Sequence, residues 1–268
     1  MPELPEVETV KRSLLTNKGA KFITLQINHP AVLRRQDFKP EELYGKKIKS
    51  IERRGKYLIL SAINGRNLIV HLGMSGRFYM LDVEEQVQEP HIHAEIVLDN
   101  GRKLLYQDAR RFGGLWLVKD TVSFFSRMGK EPLGEDFNAV YLAEVIKNRK
   151  VAIKSLLLNQ SLIAGIGNIY ADEALFRAGI LPTRPAGSLN NEEIIRLSKS
   201  IKEVLQMGIE QRGTTFRDYR DGNNEAGNNQ NSLQVYGRKN MPCPVCGELI
   251  CCDRIGGRSS HYCEHCQL

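Results

Sequence analysis

IHAEIVLDNGRKLLY, residues 92–106, is the stretch on which the fold turns. Ile92, Ala94, Ile96 and Leu98 alternate with His93, Glu95 and Val97, the period of two expected of a half-buried strand. Asn100-Gly101 then supplies the two positive-φ positions of a tight hairpin, and KLLY (103–106) returns as the second strand. Outward from this hairpin the pattern repeats. Ile23, Leu25 and Ile27 alternate with Thr24 and Gln26, and short apolar runs recur at YLIL (57–60), NLIVHL (67–72), RFYML (77–81) and LWLV (115–118), with a second turn at Asn64-Gly65. Many short strands at this spacing predict an antiparallel sandwich or barrel ending near residue 120. A helix precedes it: Pro5 suits the first turn, Glu6 and Glu8 complement the positive end of the helix dipole, and Val7, Val10 and Leu14 share a face.

Downstream the period changes to that of helices, so the chain reads as α+β. Asn138 can cap a helix carrying Val140, Leu142, Val145 and Ile146; others fit 151–158 and 169–178. Asn190 and Glu193 form a capping box before the stripe Ile194, Leu197, Ile201, Val204 and Leu205. DGNNEAGNNQN (221–231) has almost no apolar content and is expected to be a mobile loop. The whole chain has 268 residues, which at ~150 per domain allows about two domains and a small module. Its 38 Lys and Arg exceed its 31 Asp and Glu, a net charge of +7 that points toward a polyanionic partner. No apolar run approaches the ~20 residues of a membrane span, and the acidic start MPELPEVETV does not read as a secretory signal. A cytoplasmic protein without membrane attachment is expected.

All six cysteines fall between Cys243 and Cys266, which excludes a chain-wide disulfide framework. Cys243-Pro-Val-Cys246 and Cys263-Glu-His-Cys266, sixteen residues apart, offer four thiolates to one tetrahedral zinc ion. Four protein ligands close the coordination shell, so this zinc is expected to be structural. Cys251 and Cys252 read as strand residues, and His261 and His265 are superfluous beside a complete cysteine set. Between the pairs, Arg254, Gly256, Gly257 and Arg258 fit either a phosphate-gripping hairpin or a solvated turn.

The N-terminus carries another pair of readings. Pro2 and Pro5 can simply start a helix. Removal of Met1 would instead free a secondary amine at Pro2, partly unprotonated near neutrality because an α-amino group titrates near ~8. Attack on an aldehyde-like carbon by such an amine gives an iminium, an electron sink able to drive elimination. Glu3 could act beside it as general acid or base, with Glu6 in support.

PELPEVETV (2–10), HLGMSGR (71–77), DARRFGG (108–114), LLLNQSLIAGIGNIYADEALFRAGILP (156–182), QVYGR (234–238) and the terminal CxxC pair with GGRSSHYCEHC resemble the bacterial formamidopyrimidine-DNA glycosylases along essentially the whole chain. The resemblance implies a catalytic β-sandwich domain (1–130), a helix-two-turn-helix domain with a lesion-capping loop (131–233) and a zinc-finger β-hairpin (234–268). It also implies a reaction. Mature Pro2 would attack C1′ of an oxidised purine nucleotide in duplex DNA, Glu3 would protonate the sugar oxygen, and β- and δ-elimination would cut the strand. Lys56, Asn168 and Arg258 would bind phosphate, Arg258 also serving as proton donor in elimination. Met74, Arg110 and Phe112 would fill the gap left by the extruded nucleotide, Arg110 donating to the orphaned cytosine. From the residues themselves, His71 reads as a phosphate contact or a core or hairpin histidine, and His93 as a structural or phosphate-contact residue, since a metal site with His91 has no third ligand; Lys154 falls at a position the family uses around the lesion pocket or is a solvated helix lysine. Glu173 lies near the implied lesion pocket or serves as a helix-start carboxylate, and Thr214, Thr215 and Tyr219 lead into the capping loop. The basic segment 46–56, with six cations against Glu52, reads as a concentrated part of the DNA footprint. Two other readings remain: an endonuclease-VIII-type enzyme for oxidised pyrimidines, which generally lacks the Met74, Arg110 and Phe112 set, and a non-catalytic zinc-ribbon DNA-binding protein.

Overall fold

The computed structural model describes all 268 residues, which divide into two compact units. The first comprises residues 1–127 together with 209–230; the second comprises 128–208 together with 231–268. No helix is long and apolar enough to cross a membrane.

The first unit opens with α1 (Leu4–Leu14) and continues through β1 (Phe22–Ile27), β2 (Leu33–Gln36), β3 (Ile48–Arg54), β4 (Tyr57–Ala62), β5 (Asn67–His71), β6 (Arg77–Asp82), β7 (Ile92–Leu98), β8 (Arg102–Gln107) and β9 (Gly114–Val118) to the single-turn α2 (Thr121–Phe124). The stretch 92–106 is the β7–β8 hairpin, antiparallel with Ile96 opposite Leu104 and Ala94 opposite Tyr106, and Gly101 takes φ +79° in its turn. Two sheets result, ordered β1-β7-β8-β6 and β2-β9-β5-β4-β3. They share one apolar core: Leu25, Phe78, Ile96 and Leu104 from the first meet Ile51, Leu58, Leu60, Val70 and Leu117 from the second, with Val7, Val10 and Leu14 of α1 joining them. This is the expected sandwich. The outer face of the larger sheet carries a separate aromatic cluster of Tyr57, Trp116, Phe124 and Phe125 over Ile59, Ile69 and Val118.

Two strands had no counterpart in the sequence reading. LRRQ (β2) and IKSIERR (β3) are the two edges of the larger sheet, where charged side chains are tolerated and even protective. Strand β3 is most of the basic segment, and its charge is not one exposed footprint. Ile48 and Ile51 face the core, Lys49 is exposed, and the half-buried Arg53 guanidinium is bound to Glu8 (3.1 Å) and the Gly55 carbonyl (3.1 Å).

The loop 221–231 is likewise not the mobile segment its composition suggested. Asp221 is buried, its Oδ1 accepts the amides of Asn223 (2.9 Å) and Glu225 (3.0 Å), and its Oδ2 binds Arg212 (2.5 Å). Asn229 donates to Thr214 Oγ1 (2.8 Å), and Gln230 accepts from the Thr215 amide (2.9 Å). Side-chain bonds to backbone thus replace apolar burial as the ordering force.

The second unit contains α3 (Ala139–Ile146), α4 (Ile153–Leu157), α5 (Asn168–Ala178) and most of α6 (Asn191–Glu210), then the hairpin β10 (Cys251–Ile255) and β11 (Arg258–Tyr262). Asn138 caps α3 by accepting from Tyr141 N (3.0 Å). Asn190 and Glu193 exchange the two bonds of the capping box at α6 (2.8 and 3.0 Å). Cys251 and Cys252 lie in β10, as strand residues.

Candidate active site and nucleic-acid interface

At the head of α1, Pro2, Glu3 and Glu6 are buried, while Met1 is 52% exposed. Glu3 is extended (φ −108°) at the N-cap, and its amide donates to Glu6 Oε2 (2.8 Å). The other oxygen of Glu6 accepts from the Thr214 amide (2.7 Å), and the Tyr219 hydroxyl donates to the Glu6 carbonyl (3.2 Å). The segment 213–219 therefore closes directly over the helix head. Gly213 (φ +82°) permits this approach: a Cβ there would lie 2.9 Å from the Tyr219 ring and 3.0 Å from Glu6 Cγ. Burial pushes the Tyr219 hydroxyl well above its ordinary range, so it stays protonated as a donor. One turn on, burial tends to raise the Glu8 carboxyl, but hydrogen bonds from Lys11 and Arg12 and the Arg53 charge outweigh it and hold the group below its ordinary value.

The motifs HLGMSGR and DARRFGG form two loops packed backbone to backbone. A Cβ on Gly73 would meet Gly113 N at 2.3 Å, and one on Gly113 would meet His71 O at 2.2 Å. Only glycine allows such contact, and no side chain could be accommodated without parting the loops. Asp108 joins them. Its fully buried carboxylate accepts from Ser75 Oγ (2.6 Å), Tyr106 OH (3.2 Å), Gly113 N (2.9 Å) and Arg110 N (3.3 Å). Met74 emerges partly covered from the first loop; Arg110 and Phe112 emerge exposed from the second, Phe112 at 61%. Arg110 rests 3.4 Å from Asp218. Removing the hub in Asp108→Ala should strand two buried donors, Tyr106 OH and Gly113 N, release Ser75 and the Arg110 amide, and cost ~3 kcal/mol of stability in urea unfolding. A variant within ~0.5 kcal/mol of the parent would show that Asp108 does not join the loops.

Two histidines fall at this site in different ways. His93 is buried, and its Nε2 donates to the Asp108 carbonyl (2.9 Å), so it supports the second loop from below. His71 Nδ1 accepts from the Gly73 amide (3.2 Å), which leaves the proton on Nε2. Burial and then the nearby Lys56 charge lower its pKa from 6.5 to about 4, with Asp108 opposing. His71 is thus a neutral donor across the physiological range. Because its folded value lies below its unfolded one, stability is complete above pH 6.5 and falls as the pH drops toward 4. The slope is at most ~1.4 kcal/mol per pH unit. Urea midpoints at pH 7 and 4.5 should converge in His71→Gln relative to the parent; equal pH sensitivity in both would show that His71 titrates normally. Lys56 itself, in the β3–β4 turn, is buried.

In the second unit, Lys154 is not a solvated helix lysine. It is fully buried, with Nζ 2.6 Å from Asp172 Oδ1 and donating to the Ser259 carbonyl (2.6 Å). Asn168, the first residue of α5, donates to the same carbonyl (2.9 Å), and Asp172 Oδ2 accepts from the His261 amide (2.9 Å). These bonds fix β11 and present Arg258, exposed at its start beside the Gly256-Gly257 turn. Glu173 sits within α5, not at its start, and accepts the amides of Gln234, Val235 and Tyr236 (2.8–2.9 Å), so QVYGR is held by a single carboxylate. Burial raises its pKa against these three bonds. The sulfurs of Cys243, Cys246, Cys263 and Cys266 all lie within 4.8 Å of one another, with Cys243–Cys266 at 3.8 Å and Cys246–Cys263 at 3.5 Å. That cluster can hold a metal ion, and Phe176 of α5, Val235 and Ile250 pack around it.

The chain matches two family models, the formamidopyrimidine-DNA glycosylase N-terminal domain over residues 1–115 and the formamidopyrimidine-DNA glycosylase H2TH domain over residues 128–220. It is 60% identical to a formamidopyrimidine-DNA glycosylase of Syntrophomonas wolfei over the full length of both. The chain belongs to the formamidopyrimidine-DNA glycosylase family. Among solved members of the family, the MutM (Fpg) protein from Thermus thermophilus is 40% identical with a TM-score of 0.89, covering 99% of this chain and 98% of that one. The Lactococcus lactis Fpg in complex with DNA containing an abasic site is 36% identical with a TM-score of 0.92, covering 99% of each chain. A Lactococcus lactis Fpg in complex with Fapy-dG-containing DNA gives 36% and 0.91 over the same coverage. In this formamidopyrimidine-DNA glycosylase-family chain the supports that sequence reasoning missed are Asp108, Asp172 and the three amides on Glu173. Asp108 carried a signal, an aspartate opening a glycine-ended loop; the others are long-range and carried none.

Proposed function

We propose that the chain is a bifunctional enzyme of bacterial base excision repair: a DNA glycosylase that removes oxidised purines, 8-oxoguanine and formamidopyrimidines, and an abasic-site lyase. The observation that carries this reading is the full-length match at 60% identity; the buried Pro2-Glu3 at the head of a capped helix and the joined Met74 and Arg110-Phe112 loops support it. Mature Pro2 supplies the lone pair to C1′ of the damaged nucleotide, and the base leaves with the glycosidic pair. Glu3 protonates the sugar ring oxygen as it opens. The resulting iminium withdraws electrons from C2′, so loss of a C2′ proton expels the 3′-phosphate, and a second elimination, with Arg258 as proton donor, expels the 5′-phosphate. Neutral His71, Lys56, Asn168 and Arg258 position phosphates, with Lys154 and His93 acting through the backbone they hold; Met74, Arg110 and Phe112 occupy the emptied stack.

The four cysteines fit zinc. A tetrahedral site with Zn–S of ~2.3 Å needs sulfurs about 3.8 Å apart; here two pairs lie at 3.5 and 3.8 Å and all four sulfurs within 4.8 Å of one another. A zinc ion bound there closes the 234–268 module and has no open position for chemistry. The domain limits we assign, 1–130, 131–233 and 234–268, follow function; by packing, residues 209–230 lie with the first unit. The enzyme acts as a cytoplasmic, nucleoid-associated monomer on damaged double-stranded DNA.

Two duplexes test the substrate class. Strand cleavage is expected with 8-oxoguanine opposite cytosine, at least ten-fold faster than with thymine glycol. The reverse preference would replace this reading with the endonuclease-VIII-type one, and tight binding without cleavage of either would establish a non-catalytic DNA-binding protein.

A further inference from the structure

We propose that Arg34, on edge strand β2, is a positioning residue for recognition of the base opposite the lesion, acting by clamping the loop that carries Arg110 and Phe112. This rests on the assignment of those two residues in the proposed function. The Arg34 guanidinium donates to the Arg111 carbonyl (2.6 Å) through Nη2 and to the Gly113 carbonyl through Nε (3.2 Å) and Nη2 (3.1 Å). The two clamped carbonyls flank Phe112. Arg111, between Arg110 and Phe112, has φ +54°, a left-handed conformation that a non-glycine residue holds only when its surroundings impose it. On the other side, the Gly113 amide is held by Asp108 (2.9 Å), so the peptides either side of Gly113 are fixed at both donor and acceptor. The stem of Arg34 passes through space that no larger residue leaves open: a Cβ on Gly114 would lie 2.7 Å from Arg34 Cγ.

A clamp of this kind has a chemical reason to be arginine. The planar fork reaches two carbonyls from one side chain, whereas a lysine ammonium is a single point on a flexible stem. Its consequence is directional precision. Phe112 must enter a base step and Arg110 must meet the acceptors of cytosine, and a loop free to sample other conformations would offer similar contact to adenine in that place. Releasing the clamp should therefore change which partner base is accepted more than it changes the chemistry at Pro2.

The test uses the full-length protein. Single-turnover excision of 8-oxoguanine is measured opposite cytosine and opposite adenine, alongside borohydride trapping on a preformed abasic site lacking an opposite base. Arg34→Ala is expected to lower the cytosine-to-adenine rate ratio about ten-fold, ~1.4 kcal/mol of discrimination. Trapping should stay within about two-fold of the parent, and Arg34→Lys should fall between. A uniform loss on all three substrates, or an unchanged ratio in folded Arg34→Ala, overturns the proposal. If Arg34→Ala does not fold, Arg34→Lys and Arg34→Gln carry the measurement by the same criterion. Arg110→Ala and Phe112→Ala separate the two levels: if neither lowers the ratio, the assignment of the inserted residues fails; if they do and the Arg34 variants do not, the clamp alone fails.

Discussion

Pro2→Gly is expected to reduce borohydride-trapped protein–DNA adduct on an 8-oxoguanine:cytosine duplex by on the order of 10²–10⁴-fold, the scale of a lost nucleophile or general acid. Glycine leaves a primary amine on a flexible residue in place of a secondary amine held by its ring at a buried helix head. Glu3→Gln should lose excision to a similar degree, because an amide cannot deliver the proton that ring opening requires. Glu3→Gln should still bind, since the Glu3 amide keeps its bond to Glu6 and a glutamine carbonyl can still accept at the helix cap. The nucleophile must also be free. Active protein should weigh one methionine less than the translated sequence, and full lyase activity in a chain retaining Met1 would exclude Pro2 from the role.

The second large effect is expected at the opposite end of the sequence. Removal of zinc by a chelator, or Cys263→Ser, should melt the 234–268 module and weaken binding to damaged duplex at least 100-fold at fixed salt. A four-thiolate site contributes ~10–16 kcal/mol to small zinc modules, far more than the short apolar cluster of Phe176, Val235 and Ile250 can replace. The loss should reach DNA because Asn168, Lys154 and Asp172 grip β11 through its backbone, and Arg258 is aimed by that grip. Anisotropy titration and the hairpin's amide exchange measure the two consequences. Retained affinity with a protected hairpin would show that the metal is dispensable.

How far the sequence carried can be seen in particular elements. The β7–β8 hairpin, the capping box of α6 and the cysteine pairs were legible because each is written in neighbouring residues: a period of two, a reciprocal cap three positions apart, a fixed ligand spacing. Strands β2 and β3 were not, because edge position lets LRRQ and IKSIERR exchange alternation for charge. The order of the loop 221–231 was hidden for a related reason, since burial of Asp221 depends on Arg212 and on amides that composition does not display. At the site, the motifs named the residues that would touch DNA, while the groups beneath them stayed hidden. Lys154 could be taken for solvated because its partner Asp172 is eighteen positions away, and Asp108 could be taken for an ordinary turn residue until its four donors were seen.

The bond from Thr214 to Glu6 spans 208 positions. A ribosome adds ~5–20 residues per second, so about ten to forty seconds separate synthesis of the head of α1 from synthesis of its cover. Trimming of Met1 by an aminopeptidase needs an accessible N-terminus, whereas Pro2 is buried once the fold is complete. The discontinuity of the first unit thus provides a maturation window. Pro2, the nucleophile we propose, would be open to processing while the chain is nascent, before the segment that packs on Glu6 arrives.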